Sequence, residues 1–237
     1  MFRHQGNRRT YIHNIRLASI LSLVAGMVNV CGILSIKVLT TNVTGHFAFF
    51  AEEMSHSSFN AAMAFLVYIL FFLLGAFVSN LIVEFMSSKG IRGAHMPPMI
   101  FEMVLLIAVA LLPNKFLPQE LTACILLFAM GMQNALVTKI SKARVRTTHL
   151  TGLFTDLGIE LSQLFFYRKT DERKQLAHSI ALRVVIICFF FLGGTLAGLL
   201  FQFIKIKTLL IAAFCLLLAL FYDAIRFRLY IFRRKLF

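Results

Sequence analysis

Charge is what this sequence has least of. Charged residues fill 14% of its 237 positions, against 59% for hydrophobic ones. A water-soluble chain of this length needs more polar surface to cover its core, so a soluble globular fold is excluded. Acids are scarcer still, with ten Asp and Glu against 24 Lys and Arg. In a soluble protein that balance would suggest nucleic acid. Here the cations gather in tails and loops between apolar runs, and no nucleic-acid partner is expected. The four cysteines, Cys31, Cys124, Cys188 and Cys215, lie inside apolar runs without metal-ligand spacing and read as small buried hydrophobes. His46, His56 and His149 also lack ligand spacing and suit interfacial or capping positions. The alternating pattern of a membrane barrel is missing. So are the nucleophile elbow, the zinc-protease helix motif, the P-loop and the dinucleotide fingerprint. The chain is not read as an enzyme, and no cofactor or metal is expected.

What is present is length in apolar runs. Six spans stand out, at about 15–38, 61–86, 97–112, 119–138, 179–204 and 207–224, most of them long enough to cross a hydrocarbon core. Pro97, Pro98, Pro113 and Pro118 bracket the third span and open the fourth, as helix starts and stops allow. Segments 43–54 and 148–166 are apolar but interrupted, and they read as re-entrant pieces. With six crossings, all of the 24 cations except Lys37, Lys115, Lys205 and Lys207 fall on one side. That side holds the N-tail, Lys89 and Arg92, the run from Lys139 to Lys174, Arg183 and the C-tail. The excess faces the cytoplasm by the positive-inside rule, which places both termini there. An eight-span reading, with both interrupted segments crossing, blurs this asymmetry.

A passage occurs twice. Gly26-Met27-Val28-Asn29 and Thr40-Thr41-Asn42-Val43-Thr44-Gly45 return as Gly131-Met132-Gln133-Asn134 and Thr147-Thr148-His149-Leu150-Thr151-Gly152. Phe72-Leu73-Leu74-Gly75 returns as Phe191-Leu192-Gly193-Gly194. The fold expected is an all-α, polytopic transmembrane helical bundle of two three-helix repeats, residues 15–112 and 113–224, between basic tails 1–14 and 225–237. Three spans per repeat start the second copy on the opposite face, so the repeats are inverted.

The repeated Thr-x-x-Thr-Gly can cap and redirect a helix inside the membrane, exposing free N–H groups and a partial positive charge. Two such starts meeting near the midplane would hold a small polar or anionic solute. The candidate binding residues are Asn29, Thr41, Thr44 and Gly45 with Asn134, Thr148, Thr151 and Gly152. The alternative is close helix packing by small and hydroxyl residues, which is the favoured reading for Gly75, Gly193, Gly194 and Gly198. Asn29 and Asn134 suit either a solute or an interhelical hydrogen bond. Glu53, Asp156 and Glu160 are candidates for ion or proton coupling, Asp156 and Glu160 sharing a helix face. For Asp156 the plainer reading is an ion pair with Lys142 or Arg144. Glu84, Glu102 and Asp223 are expected to pair with cations at cytoplasmic ends.

In these motifs, read in order from about residue 15 to 224, the chain resembles the YoaK family, also called DUF1275, of small bacterial six-span membrane proteins. The resemblance implies the bacterial inner membrane and six spans, and no substrate. The family pattern has an acid where Asn29 stands and an asparagine where His46 stands. The expected function is a small secondary transporter or permease. Its rival is a non-transporting scaffold or partner subunit, and an intramembrane enzyme is weaker. The lipid bilayer is the expected partner, and an oligomer is compatible with the sequence.

Overall fold

A computed structural model of the chain describes residues 11–91, 93–112, 116–141, 143, 145–166 and 170–236, with the side chains of 170 and 223–236 left aside. Arg3, Arg8, Arg9, Arg92, Lys115, Lys142, Arg144, Arg168 and Lys169, and the C-tail side chains including Asp223, lie outside the described residues.

Eight α-helices and one 3-10 turn occur among the described residues: α1 (Tyr11–Ile36), α2 (Val43–Ser55), α3 (Phe59–Ser88), α4 (Met96–Leu111), α5 (Gln119–Ser141), α6 (Leu150–Gln163), α7 (Thr170–Ile204), the turn Lys205–Thr208, and α8 (Leu209–Leu236). Segments 11–36, 59–88, 119–141 and 171–222 are long and apolar enough to cross a membrane, the last covering α7, the turn and much of α8; α4 is apolar but shorter. The interrupted segments are short helices. With 13 and 14 residues, α2 and α6 reach about 20 Å, less than the ~30 Å hydrocarbon core. The 35-residue α7 starts nine positions before its apolar run, because Thr170 to Lys174 is helical without being apolar.

Local chemistry sets the boundaries. Pro97 and Pro98 fill the first helical positions of α4, where no N–H partner is needed. Lys37 takes a left-handed conformation, φ 59°, and ends α1. The chain then folds back over Gly32, where a Cβ would press on Thr40 and on the Val38 carbonyl. Asn42 caps α2 by accepting from the Gly45 N–H at 3.0 Å.

Packing is cross-wise between the two halves. α1 lies mainly against α7, and α5 mainly against α3. Glycines make both crossings tight. A Cβ on Gly26 would collide with the Phe190 carbonyl, and one on Gly193 with the Leu23 carbonyl. Gly131 faces the Phe72 carbonyl and Gly75 the Phe128 carbonyl in the same way. Small residues at such crossings bring helix backbones together in lipid, so the packing reading fits Gly75 and Gly193. These contacts match Gly75 to Gly193 and Phe72 to Phe190, one residue away from the register that the sequence motif suggests.

α1 and α5 run antiparallel through the centre. Tyr11 and Asn14 share a cavity with Ala143 and Arg146, which follow α5, while Leu34 to Ile36 share another with Leu117 to Thr122. The first of these is called the near end below and the second the far end. Between them the core is largely apolar: Leu17, Leu21, Val24, Val28, Leu126, Leu127 and Met130 are completely buried. Gln133 crosses it with Nε2 donating to the Leu21 carbonyl at 2.7 Å.

Candidate functional site

α6 packs on the first half of α7, and together with the start of α1 they enclose a cavity of about 850 Å³ at the near end. Its wall is polar. Asn14, Arg146, His149, Asp156, Gln175 and Arg183 line it, with Gly152 at the first turn of α6. Asp156 and Glu160, one helical turn apart, both hold Arg183. Its Nη1 donates to Asp156 Oδ2 at 2.8 Å, its Nε to Glu160 Oε2 at 2.8 Å, and its Nη2 to Glu160 Oε1 at 3.0 Å. Ser179 adds a hydroxyl to Glu160 Oε1 at 2.6 Å. Charge-assisted bonds of this geometry are the strong ones and fix all three side chains. Glu160 is nearly covered while half of Asp156 is exposed, so Asp156 presents a carboxylate oxygen to the cavity.

Asp156 takes Arg183, from α7, a partner that the sequence reading did not assign to it; the anticipated Lys142 and Arg144 lie outside the described residues. Arg183 was missed as a site residue because it lies 27 positions along the chain from Asp156. Its signal was a lone cation inside an apolar run.

The other predicted residues are distributed as follows. Asn29 is half-buried and its Oδ1 accepts from the Thr40 N–H at 3.1 Å and the Thr41 N–H at 3.3 Å. It latches the α1–α2 loop within its own half and makes no bond across to α5. His46 clasps the same loop from the other side, its Nε2 lying 2.6 Å from the Leu39 carbonyl oxygen. Asn134, the counterpart of Asn29, has no such bond: its Oδ1 is buried without a partner. There the loop is held by Ser141 instead, whose Oγ accepts from the Val145 N–H at 3.0 Å.

Thr41 is buried, Thr148 half-buried, and Thr44 and Thr151 are exposed on the first turns of α2 and α6. Gly45 and Gly152 lie against the residues before their helices. A Cβ on Gly152 would collide with the His149 ring, and one on Gly45 would press on Asn42. The two helix starts are not brought together, which corrects the expectation of a shared midplane site. α2 rests on α3 and α6 on α7, and no substantial contact joins α2 to α6. Glu53 is half-buried with no ion pair among the described residues. Glu84 pairs with Lys139 as anticipated. Glu102 does not behave as anticipated: it is 1% exposed, with Oε1 unpartnered.

Long apolar helices wrapped around a glycine-tightened centre define a multi-pass membrane protein in contact with lipid. A family model described as "Protein of unknown function (DUF1275)" matches residues 17–222, and the chain belongs to that family. It is similar to the UPF0700 transmembrane protein YoaK of Bacillus subtilis (strain 168), with 26% identity over 186 residues, covering 77% of this chain and 82% of that protein. No solved structure matches it.

Proposed function

We propose that the chain is a small secondary transporter of the bacterial inner membrane, with the near-end cavity as the cytoplasmic entry for a small polar solute. In this reading α1 to α4 and α5 to α8 are inverted repeats, each of three spans and one short helix, and both termini are cytoplasmic. The antiparallel run of α1 and α5 and the exchanged glycine crossings support the inversion. The cations Arg16, Lys89, Lys139, Arg146, Arg173 and Lys174 lie toward the near end, which supports its cytoplasmic placement.

One observation carries the reading. The same loop motif stands in two states: bound to Asn29 in the first half, and free of Asn134 in the second, where the cavity opens. Alternating access between inverted repeats consists of such an exchange of states. Closure of the near end then brings the Thr147 and Thr148 N–H groups onto Asn134 Oδ1 while Asn29 releases Thr40 and Thr41. Gly152 and His149 line the entry, and Asp156 and Arg146 supply an acceptor and a donor for the solute. The closely packed, largely apolar α1–α5 centre favours the second reading, a scaffold whose repeated motif only packs helices.

The test is a screen of small polar solutes by thermal shift on purified protein, each hit being followed as flux into proteoliposomes. A transporter yields a solute that stabilises the wild type, fails to stabilise Asp156→Asn, and crosses the membrane. A solute that binds but never crosses, or no binding at all, leaves the scaffold.

A further inference from the structure

The second half supplies a control for a buried acid in the first. The buried positions of α4, Met99, Glu102, Leu106, Val109 and Ala110, recur in α8 with unchanged spacing as Leu209, Ala212, Leu216, Ala219 and Leu220. At the second of these α8 has a completely buried alanine, and α4 has a carboxyl group. Packing at this position therefore asks for nothing long or polar. Glu102 nonetheless places its carboxyl between α4 and its neighbours, 1% exposed, with Oε1 unpartnered and no ion pair among the described residues.

Among the described residues, the surrounding elements offer it no counter-charge. α4 packs on α5 and α8, and less extensively on α3 and the 3-10 turn. Between Cys124 and Lys139, α5 carries no titratable side chain, and Lys139 is engaged by Glu84 of α3. Up to Phe221, α8 carries only the thiol Cys215, and Tyr222 follows. The remaining described candidates are Tyr68 on α3, Lys89 at its end, and Lys205 and Lys207 on the turn, and no ion pair joins them to Glu102 among the described residues; His95 stands just before α4. A carboxylate here would have lost its water without gaining a cation, a cost that the neutral acid avoids.

We propose that Glu102 is a proton-binding site: its carboxyl holds one proton while α4 is packed as in this structure, and releases it to water as a carboxylate when that packing opens. The site rests on the transporter reading only in that the opening motion is the access change. A bound proton that exchanges with solvent is then the coupling ion that Glu53, Asp156 and Glu160 were candidates to carry.

The experiment is infrared spectroscopy of the protein in lipid nanodiscs at neutral pH, in H₂O and after incubation in D₂O. The expected result is a protonated-carboxyl C=O band that shifts in D₂O and disappears in Glu102→Gln, while Glu84→Gln leaves it unchanged. Glu102→Ala, which copies the α8 counterpart, must lose the same band and elute as monodisperse protein, which separates loss of the acid from loss of the fold. A wild-type spectrum without an E102Q-sensitive band overturns the proposal. So does a band that never exchanges, because the site then binds a proton without releasing it. Both outcomes are independent of finding a transported solute, so failure of the solute screen and failure here are distinguishable.

Discussion

The regions around α2 and α6 are the same structural unit with opposite contents. In the first half, Phe49 of α2 meets Phe65 of α3 with ring centroids 5.3 Å apart, and His46 and Tyr68 complete an aromatic cluster. Carried through the repeat, Phe49 becomes Asp156 and Phe65 becomes Arg183, which meet as an ion pair at 2.8 Å. Both pairs tie the short helix to the long one beside it. The polar pair stands at an open cavity. The contrast teaches that joining these helices does not require charge, since stacked rings do it elsewhere in the molecule. Buried ion pairs are weak evidence for stability, because desolvation offsets much of their attraction. The Asp156–Arg183–Glu160 triad therefore places charge where the first half joins the same helices with rings. Glu53, the counterpart of Glu160, stands without an arginine because Phe65 occupies that place.

The comparison breaks most forcefully at the glycine crossings, where the two halves are alike. Replacing Gly26 or Gly131 by Ala drives a Cβ into a backbone carbonyl that no rotamer change can move aside. Each substitution should cost about 3 kcal/mol, at the upper end of over-packing penalties, and the two should be equal within error. Thermal unfolding in detergent measures this. A tolerant Gly131→Ala beside an intolerant Gly26→Ala would show that the α5–α3 crossing is not the twin of α1–α7.

A smaller effect separates the halves at the cavity. Arg183→Ala leaves Glu160, 13% exposed at its side chain, as a nearly covered carboxylate without its cation. The expected loss is about 2 kcal/mol, less than for a fully buried pair because Asp156 is half exposed and screened. The double change Asp156→Phe with Arg183→Phe installs the contents of the first half in the second. It should restore part of that stability and abolish any solute-dependent thermal shift. If the shift survives, the solute binds elsewhere.

How much of this was legible from the sequence depends on whether a property is local. The eight helices follow from apolar runs and from Asn42, Pro97 and Lys37 at their ends. The shared face of Asp156 and Glu160 follows from helical spacing alone. Arg183 could not be assigned to them, because only the packing of α6 on α7 brings it there. Glu102 was placed with end-of-helix cations on the strength of its position along the chain. The spacing Met99, Glu102, Leu106, Val109 already marks it as part of a buried stripe, and that was the signal to follow. The register slip at Gly193 and Gly194 arose because two adjacent glycines fit the motif, and only the carbonyl opposite each one tells them apart. The idea that the two Thr-Gly breaks meet rested on their chemistry. Asn42 caps the start of α2, while the start of α6 behind His149 has no side-chain cap bond, and each short helix is carried by the long helix beside it rather than by the other break.

Next in size are the two asparagines. Asn29→Ala removes an acceptor from the Thr40 and Thr41 N–H groups and should cost about 1–2 kcal/mol. Asn134→Ala removes an oxygen that has no partner, so stability should stay within about 0.5 kcal/mol or rise slightly. If the two variants lose stability equally, the latch is not one-sided, and the two-state reading of the repeats fails with it.

The smallest effect is the cleanest control, because it sits on α6 and touches nothing. A Cβ on Gly158 meets open space, in contrast to every crossing glycine. Glycine in the middle of a helix costs up to about 1 kcal/mol relative to alanine, through backbone freedom in the unfolded chain. Gly158→Ala should therefore raise the midpoint of thermal unfolding by a degree or a few, on the order of 0.5–1 kcal/mol. Solute binding should be unchanged if α6 serves as a rigid wall of the cavity. If stability rises while solute flux falls, flexibility at Gly158 belongs to the closing motion, and α6 is the moving part that the Asn134 latch is waiting to catch.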